Sequence, residues 1–379
     1  MRIPMYADGA RLQWLVERLD RVDDQLEPTV AEVRREVPVY DSVPRDSLAE
    51  SVERNLHLAA RVLREGRVPP ARDVWEAEVS TRERLRQGVR IDEIMGAFRV
   101  QMARIQRRVV ELAPECDITP AEALALSSLL WELGDAFSTK AATVYRDHDI
   151  TVAVAEQQAR TEWVLGVLRG TLSTADTHRG VQRYRVPADA PLYAVCASPL
   201  HDGRFDQVFR GLNSVGTGFA LVVPSEGRCV GIVSQLPPDS AGVVAIGSLS
   251  VLEEMTSSFD LATRVFAAAQ RLGLPGVFSL EKLTWRVAIP QQPELSAFLR
   301  EKYLGPLESE RGFGALVVEA LRAYLLQGRS IPKAAASIPV HVNTLRYRLA
   351  RFEMLTGCSL DDSDAVVELS WMLFDYDSR

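Results

Sequence analysis

Along the first 170 residues, apolar positions recur at helical spacing and nowhere alternate as in a strand. Leu48, Val52, Leu56, Ala59 and Leu63 mark one helix over Asp46–Glu65, with Gly66 as its stop. Val68-Pro69-Pro70 breaks the pattern, and two further helices are predicted across 71–87 and 91–112, punctuated by Gly88. Thr119-Pro120-Ala121-Glu122 combines a capping box with proline at the first helical position, so a helix through Leu124, Leu129, Leu133 and Phe137 follows. Residues 150–170, with Trp163, Val164, Val167 and Leu168 on one side, form a connecting helix that ends at Gly170. Such a helix suits a dimer contact, a signal relay or plain packing.

The pattern changes after Tyr184. Leu192–Ala197, Phe219–Val223, Cys229–Ser234 and Val243–Ile246 are strand-like, and the second and third pair across Ser225-Glu226-Gly227-Arg228. A helix through Leu261, Val265, Ala268 and Leu272 precedes a short strand at Gly276-Val277-Phe278, and Pro290 to Pro293 marks the exit of this α+β region. The C-terminal segment is helical again. Leu316–Gln327 forms a helix closed by Gly328, two short helices end at Gly357, and another starts near Ser363.

The two short helices carry the most specific signal. Ser330-Ile331-Pro332-Lys333-Ala334-Ala335-Ala336 and His341-Val342-Asn343-Thr344-Leu345-Arg346-Tyr347-Arg348-Leu349-Ala350-Arg351 are separated by a tight break. They have the outline of a helix-turn-helix with its recognition helix second. At about 100° per residue, Leu345, Leu349 and Phe352 share one face and Asn343, Arg346, Tyr347 and Ala350 the opposite one. Asn bridges adenine N6 and N7, and Arg bridges guanine O6 and N7. Asn343 and Arg346, with Tyr347 beside them, are therefore the base-reading candidates. Lys333, Thr344, Arg348 and Arg351 are the phosphate candidates, and the alanine run lets the helices approach closely.

Composition refines this picture. A chain of 379 residues with 47% apolar and 25% charged residues is a multidomain globular protein. No apolar run approaches the roughly 20 residues that cross a bilayer. The first residues, Met-Arg-Ile-Pro-Met-Tyr-Ala-Asp, lack the apolar stretch of a secretory signal. Four scattered cysteines, Cys116, Cys196, Cys229 and Cys358, suit reduced thiols in the cytoplasm. The net charge of −7 argues against nucleic acid, but DNA responds to the local field. From Arg322 to Phe352 the chain holds Arg322, Arg329, Lys333, Arg346, Arg348 and Arg351 and no acid.

Leu321 to Asp362 resembles the C-terminal DNA-binding domain of PucR/CdaR-type bacterial transcriptional regulators, chiefly through its His-x-Asn-Thr-x-x-Tyr-Arg-Leu core, His341 to Leu349. Val342 stands where that family usually has a basic residue, and Pro339 is also a departure. Ser258–Leu283, with Phe266-Ala267-Ala268-Ala269 and Leu272-Gly273-Leu274-Pro275-Gly276, is similar to the end of the degenerate GGDEF-like domain of these regulators. Arg86-Gln87-Gly88-Val89 and Ile94–Phe98 resemble the globin-shaped sensor domain of RsbR-type stress proteins, which implies a haem-free sensor with no cofactor. The expected layout is an all-α, globin-like sensor over 1–149 and a connecting helix over 150–170. A GGDEF-like α+β domain over 171–293 and an all-α helix-turn-helix domain over 311–379 complete it.

Enzymatic readings find no support. A diguanylate cyclase needs a Gly-Gly-containing loop, and the chain has no Gly-Gly pair. Phosphate-loop and nucleophile-elbow motifs are missing as well. His57, His148, His178, His201 and His341 show no metal-ligand spacing, and Asp147-His148-Asp149 points its side chains apart around a helix. The expected partners are double-stranded DNA, a second copy in a homodimer or higher homo-oligomer, and a small-molecule effector, with no membrane. The alternative is a stress-signalling scaffold whose C-terminal helices dock proteins.

Overall fold

The computed structural model describes residues 9–21, 24–200, 204–213, 218–236, 240, 242–310 and 312–377. The N-terminal octapeptide and His201 lie outside these residues. Two compact units divide the chain at Glu156/Gln157.

The first unit is all helical among the described residues: α1 (Gly9–Leu19), α2 (Leu26–Glu36), α3 (Arg45–Glu65), α4 (Trp75–Arg86), α5 (Ile91–Leu112) and the first part of α6 (Pro120–Arg169). Leu48, Val52, Leu56, Ala59 and Leu63 are buried on α3, and Gly66 closes it at φ 62°. Leu129, Leu133 and Phe137 of α6 join the same core, where Phe137 stacks on Phe98. The capping box forms. Thr119 N–H donates to the Glu122 carboxylate at 2.8 Å and Glu122 N–H to the Thr119 hydroxyl at 3.3 Å. Arg84, 1% exposed, donates to the Ser47 hydroxyl and carbonyl, both at 2.9 Å, and lies over the Tyr40 ring.

Residues 150–169 are helical, and they continue the preceding helix: α6 runs for 50 residues without interruption. Nothing between Gly134 and Gly166 breaks it: the intervening sequence holds no Gly or Pro. The boundary between the two units thus falls inside a helix, which ends at Gly170, φ 66°.

The second unit adds α7 (Thr174–Tyr184), β1 (Leu192–Pro199), α8 (Phe205–Asn213), β2 (Ala220–Ser225), β3 (Arg228–Val233), β4 (Gly242–Ser250), α9 (Met255–Leu272), β5 (Gly276–Phe278) and α10 (Leu280–Leu283). The five strands form one mixed sheet in the order β2-β3-β1-β4-β5, with only β4 and β5 parallel. Glu226 and Gly227, both at positive φ, make the two-residue turn that joins β2 to β3. Alternate residues face α9 on one side (Ala194, Cys196, Ala245) and α8 on the other (Val195, Ala197, Val244). A bulge interrupts the β1–β4 ladder at Tyr193/Val195. The buried Ser258 of α9 fills it, accepting from Ala194 N–H at 3.2 Å and donating to the Ser248 carbonyl at 2.7 Å. A Cβ at Gly247 would lie 1.9 Å from the Ser258 carbonyl, so only glycine admits α9 this close.

The C-terminal helices are α11 (Pro293–Leu304), α12 (Phe313–Leu326), α13 (Ile331–Ser337), α14 (Val342–Thr356) and α15 (Ser363–Asp377). Leu299 and Tyr303 of α11 sit in one core with Val317, Leu321, Leu345, Phe352 and Leu369. Pro293 therefore begins a helix of this C-terminal core rather than merely ending the α+β region, a role its missing N–H suits. Asp375 of α15, 3% exposed, is held between Arg271 of α9 and Arg300 of α11.

Candidate nucleic-acid interface

Helices α13 and α14 are joined by residues 338–341, and Ala334 and Ala335 are buried where α13 meets its neighbours. α12 ends at Gly328 and Arg329, with φ 64° and 63°, and Arg329 N–H donates to the Tyr324 carbonyl at 2.8 Å. At the start of α14, His341 is the N-cap: its ring Nδ1 accepts from Asn343 N–H at 3.2 Å. This occupies one of the orphan donors of the first turn and leaves the Asn343 side chain at the surface. Gly357, φ 70°, closes the helix.

The inward face of α14 is Leu345, Leu349 and Phe352, at 0%, 5% and 0% exposure. Asn343, Arg346, Tyr347 and Ala350 are exposed on the other face, and the Tyr347 ring lies 5.9 Å from Phe313. Thr344 and Lys333 are exposed as well. The structure therefore brings the three base-reading candidates onto one open helical face.

Arg348 and Arg351 are placed differently from the expectation that both face phosphate. Arg348 is turned inward, donating to the Glu319 carboxylate at 3.3 Å and to the Leu316 carbonyl at 3.5 Å. Arg351 is paired at 2.5 Å with Glu310. The window around them is free of acid only along the sequence. Helix α12 and the 3₁₀ segment Gly305–Glu310 bring carboxylates from outside it onto both guanidinium groups. Arg329, counted in that window but given no role, is exposed at the turn before α13, as is Lys333 on its first turn.

Residues 23–160 match the family described as the RsbT co-antagonist protein rsbRD N-terminal domain, and residues 317–373 match the PucR C-terminal helix-turn-helix domain. No curated protein matches the chain. Among solved structures, the regulator of polyketide synthase expression from Bifidobacterium adolescentis is similar at 16% identity over 55% of this chain and 93% of that one, with a TM-score of 0.26. The chain carries an RsbRD-type N-terminal domain and a PucR-type C-terminal helix-turn-helix domain. Among the described residues, no helix is long and apolar enough to cross a membrane.

Proposed function

We propose that this chain is a cytoplasmic DNA-binding transcriptional regulator of the PucR/CdaR type, acting through the open face of α14. The observation that carries the reading is the clustering of Asn343, Arg346 and Tyr347 on the exposed side of the second helix of a PucR-type helix-turn-helix. In this reading Asn343 and Arg346 contact base edges in the major groove, and Tyr347 borders them. Lys333 and Thr344 contact phosphate, and Arg329 joins them in place of the inward-turned Arg348 and the paired Arg351.

The remaining domains supply control. The N-terminal bundle is a globin-like, haem-free sensor, and the sheet-bearing region is a degenerate GGDEF-like domain without cyclase activity. One helix-turn-helix reads few base pairs, so the protein works as a homodimer or higher homo-oligomer on repeated half-sites. A small-molecule effector shifts the spacing or orientation of the paired DNA-binding domains.

A mobility-shift titration of the full chain on fragmented genomic DNA, repeated across a salt series, tests the reading. Discrete shifted bands that weaken steeply with salt are expected. A chain that shifts no DNA at low salt would favour the scaffold reading.

A further inference from the structure

We propose that the cleft at the end of β5 binds a small amphipathic carboxylate, and that its occupancy acts on the helix-turn-helix through a strained hinge at Thr284. The cleft has a volume of about 530 Å³, within the range of small-molecule sites. It exists because β5 is short. Its pairing stops at Ala245↔Phe278, whereas β4 continues to Ser250. Ile246, Leu249, Val277 and Leu280 form apolar walls, and Leu249 and Leu280 stay 50% and 45% exposed. An apolar ligand body would remove that surface from water.

The polar end of the ligand is chosen by Lys282. Lys282 lines the cleft, and its ammonium donates at 2.6 Å to the carbonyl of Val277, another lining residue. An ammonium has three donors, so two remain for a guest. Glu281, on the same short helix, also lines the cleft. Glu281 balances Lys282 and the lining holds no arginine, so the site takes at most a single negative charge, seated at Lys282 and away from Glu281, and not a phosphate or polyanion.

The cleft wall runs directly into the contact with the C-terminal helices. α10 lines the cleft, and the next residue, Thr284, sits at φ 54° and ψ −128°, a conformation costly for a β-branched side chain. Beyond it, the 3₁₀ segment Thr284–Gln291 carries Trp285 and Arg286. The Trp285 ring lies 6.4 Å from both Trp371 and Phe374 of α15, and Arg286 lies over Trp285 and Phe374. A ligand that displaces α10 therefore moves the wedge that seats α15. This second half rests on the DNA-binding reading; the first half stands apart from it.

Isothermal titration calorimetry of the full chain with octanoate and 3-phenylpropionate, against 1-octanol and 3-phenylpropanol, tests the site. Saturable binding is expected, with Lys282→Met weakening the two carboxylates about tenfold, the worth of one charge-assisted hydrogen bond, and leaving the alcohols unchanged. Absence of saturable binding, or equal loss for acids and alcohols, overturns the site. Coupling is read by hydrogen exchange over residues 284–291 and 363–377 and by DNA affinity with and without octanoate. Both should change in the wild type, and Thr284→Gly should bind octanoate with neither change. Binding that leaves exchange in both segments untouched overturns the hinge. Ligand-dependent exchange in a chain that never binds DNA upholds the site and the movement at Thr284, while refuting the DNA-binding reading and with it the control of DNA affinity.

Discussion

Replacing Arg348 by Met separates an arginine that holds the domain together from one that meets phosphate. The Arg348 side chain is 10% exposed and its guanidinium serves Glu319 and the Leu316 carbonyl. A hydrogen bond to a charged group contributes about 1.5–3 kcal/mol when its partner stays buried. Glu319 is 46% exposed and regains water when abandoned, and Met keeps the apolar stem. The expected loss is therefore about 1–2 kcal/mol. In the compact unit Gln157–Arg379 that lowers the melting temperature by about 2–8 °C. Thermal unfolding and a salt series of anisotropy titrations on a duplex selected from random-sequence DNA make the comparison. Arg348→Met should melt earlier yet keep the slope of log affinity against log salt. A variant with unchanged melting and a slope shallower by about 0.9, one phosphate contact, would refute the inward assignment.

Other outcomes follow from the same geometry. Gly247→Ala should lose several kcal/mol and open the sheet–α9 contact, since its Cβ meets backbone at Ser258 that cannot yield; urea unfolding checks it, and a loss under about 0.5 kcal/mol would contradict the contact. Ala334→Leu should disrupt the α13 packing and weaken binding to all DNA, read by circular dichroism alongside a gel shift. The Glu368 carboxyl is held below its usual range chiefly by its hydrogen bond from Lys302, and also by that from Tyr303. A depressed carboxylate stabilises above its unfolded pKa of about 4.3 and loses that stability as pH falls through its folded value. Melting of the chain should thus fall more steeply below about pH 4.5 in wild type than in Lys302→Met.

What the sequence disclosed depended on whether each signal was local. The faces of α14 were legible because helical period and capping are local, and Leu345, Leu349 and Phe352 are indeed buried. Both strand pairing across Glu226-Gly227 and the short β5 were legible for the same reason. Helices α7, α8 and α11 were among those missed although signals existed. Ser173, whose hydroxyl accepts from Asp176 N–H, caps α7. Phe205, Val208, Phe209 and Leu212 give α8 an apolar stripe, and Pro293 opens α11. The continuity of α6 was legible too, since no Gly or Pro interrupts residues 135–165, yet 120–137 and 150–170 were read as two helices. The partners of Arg348 and Arg351 lie 29 and 41 residues away in sequence, so no local pattern announces them. The partners of Asp375, Arg271 and Arg300, likewise lie 104 and 75 residues away.

The central claim is that the open face of α14 reads DNA, and selection from a random-sequence duplex pool tests it most directly. The wild-type chain should enrich a defined motif. The Asn343→Ala/Arg346→Ala double variant, with unchanged circular dichroism and melting, should bind the pool but enrich no motif, each lost base contact costing about 1–3 kcal/mol of discrimination. Enrichment of the same motif by both proteins would contradict the account.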